Sequence, residues 1–211
     1  MTVQLSLSDL ELQQKAVLVH KRLCAVYGCP IAYFHNLDPL SELISALLSH
    51  RTKNADSHRA FQQLTHQFST WQAVRDAPTS EVEAAISACT WAEQKAPRIQ
   101  HVLKLISERI NQRQLEPWSL NFLADWSIPE ARAWLESLPG VGPKTSAAVL
   151  SFSDLRRRAL VVDSHHHRVA VRLALIPAKV AVAPAHAILE AQLPSDWTAQ
   201  QIYDNHEVIV F

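Results

Sequence analysis

Apolar residues recur at helical spacing almost from end to end of this chain, and nowhere do they sustain the two-residue alternation of a half-buried strand. Leu40, Leu43, Ile44, Leu47 and Leu48 fall at i, i+3, i+4, i+7 and i+8, the stripe of an amphipathic helix. Asp38 before Pro39 supplies an N-cap followed by proline at the first helical position. Leu10, Val17, Leu18 and Val26 suit one face of an earlier helix that Gly28 stops. Further helices are expected behind caps at Asn54 and Thr79, over Lys95 to Ile110, from Pro129 to Leu138, and from Thr198 onward. Residues 29–38, 115–128 and 154–162 read as irregular. The fold class expected is all-α.

A chain of 211 residues is long enough for one large domain or two small ones, and 48% hydrophobic with 19% charged residues is ordinary for a globular protein. The N-terminal stretch Met1 to Lys15 lacks a basic region followed by an apolar run, and no segment approaches the roughly 18 apolar residues of a membrane span. A cytoplasmic location, with no membrane partner, is the expectation. Cys24, Cys29 and Cys89 form no metal-type cluster and read as reduced thiols, although Cys24 and Cys29 could pair in an oxidising setting. Net charge is zero, but its distribution is uneven. Between Gly140 and Leu175 lie Lys144, Arg156, Arg157, Arg158, Arg168 and Arg172, against Asp154 and Asp163. Such a local excess is either a solvated basic face or a footprint for a polyanion.

The chain holds three glycines, and two of them stand within Leu138-Pro139-Gly140-Val141-Gly142-Pro143-Lys144-Thr145. Glycine admits positive φ and the close approach of a ligand or another backbone. One helix ends near Leu138, Gly142 caps the next, and Pro143 is its first residue. The turn between them would present the N–H groups of Val141, Gly142 and Lys144, a phosphate-binding arrangement, or it would serve packing alone.

LPGVGPKT resembles the helix–hairpin–helix of the endonuclease III-like DNA glycosylases. Val162-Asp163-Ser164-His165-His166-His167-Arg168-Val169 resembles the stretch that carries the catalytic aspartate of that family. Upstream, Leu47 to Asn54 resembles its first DNA-facing loop, and Glu93-Gln94-Lys95-Ala96 the segment after its second. The resemblance implies two helical lobes around a DNA-binding cleft. Residues 40–153 would form one lobe with the hairpin at 138–150, and residues 1–39 with 154–211 the other. It also implies a monomeric, nucleoid-associated enzyme acting on double-stranded DNA with a damaged base or abasic site.

By that resemblance Lys144 and Asp163 are the catalytic pair. The lysine attacks C1′, displaces an oxidised pyrimidine and forms a Schiff base, from which the 3′ phosphate leaves by β-elimination. An ordinary lysine, with a pKa of about 10.4, is too fully protonated to attack. The positive end of a helix dipole, burial, and neighbouring Arg or His charge are expected to disfavour the Lys144 ammonium. Asp163 would stabilise developing positive charge and help deprotonate the lysine, or it would only cap a helix. Arg51 matches the position that fills the space a flipped base vacates, and Trp91 the wedge on the opposite strand, unless Trp91 is core. His50, Gly140, Val141, Gly142, Thr145, His165 and Arg168 complete the expected DNA contacts. Lys95, Arg98 and Arg156 to Arg158 are candidate phosphate partners. His165, His166 and His167 cannot share a metal, because adjacent helical residues point about 100° apart.

Three features depart from the family. Ser153 to Arg158 replaces its glycine- and proline-containing loop, and Asn54 stands where relatives often have aspartate. Tyr203 to Phe211 resembles the helix that precedes a four-cysteine [4Fe–4S] run, but all three cysteines lie upstream. No cofactor is therefore expected from these residues, unless a C-terminal tail lies beyond them. A helix–hairpin–helix DNA-binding protein without chemistry, and a glycosylase that activates water instead of Lys144, are the competing readings.

Overall fold

The computed structural model describes residues 7–210, and among them every regular element is a helix. Residues 1–6, part of the stretch read above for a leader, and Phe211 lie outside the described residues. The helices are α1 (Leu7–Tyr27), α2 (Pro39–Ser49), α3 (Asn54–Gln67), α4 (Trp71–Asp76), α5 (Thr79–Ala85) and α6 (Ala92–Gln112). After a 3-10 turn at Asn121–Ala124 come α7 (Ile128–Glu136), α8 (Pro143–Phe152), α9 (Ser164–Arg172), α10 (Val182–Ala191) and α11 (Ala199–Val210). No described helix is long and apolar enough to cross a membrane.

Asp38 caps α2 as its sequence predicts, accepting from the N–H groups of Leu40 and Ser41 at 3.0 Å each. The stripe behind it is wholly buried, with Leu40, Leu43, Ile44 and Leu48 at 0% exposure. Each such side chain contributes about 1.5–3 kcal/mol by leaving water, so α2 anchors the larger core. That core runs through α3, α5, α6, α7 and α8, with Leu64, Ile99, Leu103, Ile106, Leu135 and Val149 at its centre. A smaller core gathers Leu160, Val162, Ala170, Leu175, Leu189 and Ile202 from α9, α10, α11 and the strand-like approach to Asp163. Tyr203 of α11 reaches into the larger cluster and stacks on Tyr33 at 4.0 Å, joining the two.

Several local expectations need correction. The predicted face of α1 is outward: Leu10, Leu18 and Val26 are exposed, while Ala16 and His20 make the inward contacts. Asn54 and Thr79 do not cap; each is the first residue of its helix, and Lys53 and Pro78 hold the cap positions. Cys24 and Cys29 are joined in a disulfide, against the expectation of reduced thiols, because Gly28 turns the chain back and brings the two within bonding reach. Cys89 is a buried free thiol.

Candidate functional site

A cleft of about 780 Å³ opens where the turn after α2, the start of α6, the start of α8 and the start of α9 converge. His50, Arg51, Trp91, Lys144, Asp163 and His165 all line it, as do Lys95 and Arg98. Eight of the candidate catalytic and binding residues named from the sequence thus meet in one cavity. Gly140, Val141, Gly142, Thr145 and Arg168 lie outside its lining.

The hairpin forms as its glycines suggest. Gly140 sits at φ +80°, and a Cβ there would meet Arg98 Cδ at 2.8 Å. Both the backbone and the passage of Arg98 therefore require glycine. Gly142 differs: its backbone is extended and a Cβ would meet nothing within 4 Å. Open space at that position suits the approach of a ligand rather than internal packing. The Val141 N–H is not presented outward as expected, since it donates to the Leu138 carbonyl at 3.2 Å. First-turn N–H groups of α8, those of Lys144 and Thr145, have no intrahelical acceptor. The Thr145 hydroxyl is spent inside the protein, 2.9 Å from His50 Nε2, which ties α8 to the end of α2.

Lys144 is the second residue of α8 and is partly buried. Burial pushes its pKa below the ordinary lysine value, while the carboxylates of Asp163 and Glu42 pull the other way. The expectation of helping Arg and His charges is thus reversed, because the groups acting most on this ammonium are acidic. Among the described residues, Lys144 Nζ makes no hydrogen bond. Asp163 caps α9: its Oδ1 accepts from the N–H groups of His165 at 2.9 Å and His166 at 2.8 Å. Capping and a place in the cleft lining coexist, since the capping carboxylate lines the cleft that also holds Lys144.

Arg51 and Trp91 share two further features. Both are non-glycine residues in the left-handed region, at φ 51° and 57°, and the Arg51 guanidinium lies 5.7 Å from the Trp91 ring. Such backbone costs of order 1–3 kcal/mol and collects at ligand clamps. Trp91 is 44% exposed, so it is not core. His50 is pushed down to about 4, by burial first and then by Lys144, Lys95 and Arg98, and is neutral at physiological pH.

The other basic candidates divide. Lys95 is buried, and its Nζ donates to Leu48 O at 2.6 Å, His50 O at 2.9 Å and Thr52 Oγ1 at 2.7 Å. Those three bonds use all of its N–H groups, so it secures the turn after α2 instead of meeting phosphate. Arg156 donates to Phe152 O and His35 O, Arg157 to Leu123 O, Ala124 O and Trp126 O, and Arg158 to Trp197 O and Pro194 O. The triple arginine is a set of internal clamps on an irregular loop, and the phosphate expectation for it is withdrawn. Arg168 stays exposed beside His165 Nδ1 at 3.0 Å. The three histidines part ways: His165 meets Arg168, His166 stacks on His206, and His167 reaches Val180 O.

Glu42 was missed. It is 3% exposed, on a helix otherwise buried by apolar side chains, and its Oε2 lies 3.0 Å from His35 Nε2. A carboxylate inside an apolar stripe was the available signal. His206 and Glu207 of α11 were missed too. Burial, then Asp163 and Asp204, pushes Glu207 up to about 7.

Residues 44–196 match the model of the HhH-GPD superfamily of base excision DNA repair proteins. This chain belongs to that superfamily. It is 30% identical over 159 residues to endonuclease III of Thermotoga maritima, covering 75% of this chain and 67% of that one. It is also 30% identical over 157 residues to an Arabidopsis thaliana protein named as a DNA glycosylase, covering 74% of this chain. That match spans only about half, 52%, of the plant protein. A trapped endonuclease III–DNA covalent intermediate shares the fold, with a TM-score of 0.76 over 94% of this chain and 84% of that one at 22% identity. An 8-oxoguanine glycosylase/lyase of Clostridium acetobutylicum bound to DNA gives 0.71 at 14% identity, covering 95% and 68%. The HhH-GPD match contains Lys144 and Asp163 but begins just after Glu42. The iron–sulfur cluster of many relatives does not fit the residues present: Cys24 and Cys29 are bonded to each other, which leaves Cys89 alone. No step below involves one.

Proposed function

We propose that this protein is a base-excision DNA glycosylase with abasic-site lyase activity, in which Lys144 is the nucleophile and Asp163 its acidic partner. The observation that carries this reading is the state of Lys144. Its amine lies in the cleft at the start of the second hairpin helix, without a hydrogen-bond partner among the described residues, and burial disfavours its cationic form. A lysine so placed supplies a free amine at lower pH than a solvated one.

With a flipped nucleotide in the cleft, Lys144 Nζ attacks C1′ and the base departs with the bonding electron pair. Asp163, fixed by its two backbone bonds, stabilises positive charge that develops on the sugar and accepts the lysine proton. The ring-opened Schiff base acidifies the C2′ proton, and its loss expels the 3′ phosphate. Arg51 and Trp91 at the cleft mouth would occupy the vacated stack and the opposite strand. Gly142 and the first-turn N–H groups of α8 would receive a phosphate. Oxidised pyrimidines are the proposed substrates; the similarity to an endonuclease III supports that class.

Incubation with abasic-site duplex and borohydride tests the reading. A covalent adduct is expected from the wild type and none from Lys144→Ala. An adduct undiminished in that variant, or absent from the wild type, overturns it. A lesion panel then tests the substrate class: release of oxidised pyrimidines is expected, and release of oxidised purines alone would contradict it.

A further inference from the structure

Arg51, Trp91 and Lys144 belong to three separate segments, and each stands close to a residue that fastens those segments together. Arg51 follows His50, whose Nε2 is hydrogen-bonded to Thr145 Oγ1 at 2.9 Å across 95 residues of sequence. Thr145 in turn follows Lys144 in the first turn of α8. Trp91 precedes Lys95 by one helical turn, with the Lys95 N–H donating to the Trp91 carbonyl at 3.0 Å. Lys95 Nζ holds the His50 carbonyl and the Thr52 hydroxyl, and that hydroxyl accepts from the Thr90 N–H at 3.3 Å. The turn after α2 is thus fastened to α6 through its backbone carbonyls and Thr52. It reaches the first turn of α8 through the His50 ring.

The bond to Thr145 has the character of a lasting tie. Thr145 is 2% exposed, and burial holds His50 neutral, so the ring offers one donor and one acceptor nitrogen. A hydroxyl can serve either. Separating the two would strand a buried hydroxyl, which costs more than one exposed bond supplies. The first turn of α8 has a second tether, Ser146 Oγ to Glu136 Oε1 at 2.6 Å, but it runs to α7 within the hairpin. Ser146 therefore fixes the hairpin to itself, whereas Thr145 fixes it to the segment that carries Arg51.

We propose that the His50–Thr145 hydrogen bond is a positioning link, which couples the turn bearing Arg51 to the helix start bearing Lys144 and so holds the amine in register with bound DNA. Both residues act through their sequence neighbours and not on the reacting atoms. The consequence for chemistry rests on Lys144 being the nucleophile; the coupling does not.

Hydrogen exchange of the free protein, read by mass spectrometry, tests the coupling without turnover. Thr145→Val is expected to speed exchange in residues 49–53, and His50→Phe in residues 143–147, each at the far end of the bond it cuts. Thr145→Ser, which keeps the hydroxyl, should match the wild type. Ser146→Ala, which cuts only the tether to α7, should leave 49–53 unmoved. The two cuts are independent, so either one decides the matter if the other variant does not fold. A far segment that does not respond overturns the link. Single-turnover borohydride trapping then reads its purpose. Thr145→Val is expected to slow adduct formation about ten- to a hundredfold with affinity for a tetrahydrofuran-containing duplex kept, and Thr145→Ser to restore the rate. An unslowed valine variant, or rate and affinity lost together, overturns the positioning role. A wild type that forms no adduct defeats the lyase reading instead, and the exchange data still decide the coupling.

Discussion

Two lysines line the same cleft, and their surroundings give them opposite fates. Burial lowers the pKa of both Lys95 and Lys144. Lys95, on α6, gives its three N–H groups to two carbonyls and a hydroxyl of the turn after α2. Lys144, on α8, has no such acceptors among the described residues and has carboxylates near it instead. A depressed pKa therefore does not distinguish the two lysines; their hydrogen bonds do. A fully engaged ammonium is a staple, because each bond must break before its lone pair is free. An unengaged one can react.

The comparison breaks if the two lysines exchange roles under mutation. Lys144→Ala is expected to abolish adduct formation in borohydride trapping. Asp163→Asn should lower turnover by about 10²–10⁴-fold with DNA binding kept; an unchanged rate would leave Asp163 a cap only. Lys95→Met should cost roughly 2–4 kcal/mol of stability, because it strands buried acceptors. The folded fraction should still form the adduct, and denaturant titration with trapping at low temperature checks both. Trp91→Ala should weaken binding to damaged duplex about tenfold, or about 1.4 kcal/mol, in a fluorescence titration.

Acid destabilises the fold in a graded way. His50 titrates near 4 in the folded chain, and burial also lowers His166 and His206. Between the unfolded value of about 6.5 and the folded values, the unfolded chain binds more protons, so stability is present above that window and is lost as pH falls through it. Melting temperatures that rise from pH 6.5 to 4.5 would contradict this.

Much of the scaffold was legible because its signals are local. Asp38 with Pro39 fixes a helix start by cap chemistry, and Gly140 fixes the hairpin by a backbone angle few other residues adopt. The convergence of His50, Arg51, Trp91, Lys144 and Asp163 was legible through family resemblance, which encodes tertiary contacts that spacing alone does not. What escaped depends on distant partners. Arg156 to Arg158 looked like a basic footprint, but their acceptors are carbonyls 31 to 39 residues away for Arg157 and Arg158, and 121 away for Arg156 at His35. Charge density in a sequence cannot distinguish a guanidinium aimed at solvent from one closed on a loop. Glu42 escaped because only the packing of α8 and the His35 segment around α2 makes its burial meaningful. The outward face of α1 was misread because apolar spacing gives a period but not a direction.

The central claim is that the unengaged lysine is the reactive one. Reducing the Schiff base between wild-type protein and abasic-site DNA, digesting the adduct and sequencing the cross-linked peptide tests it most directly. A single modified residue, Lys144, is expected. A cross-link at Lys95, or at any other amine with Lys144 unmodified, would contradict it.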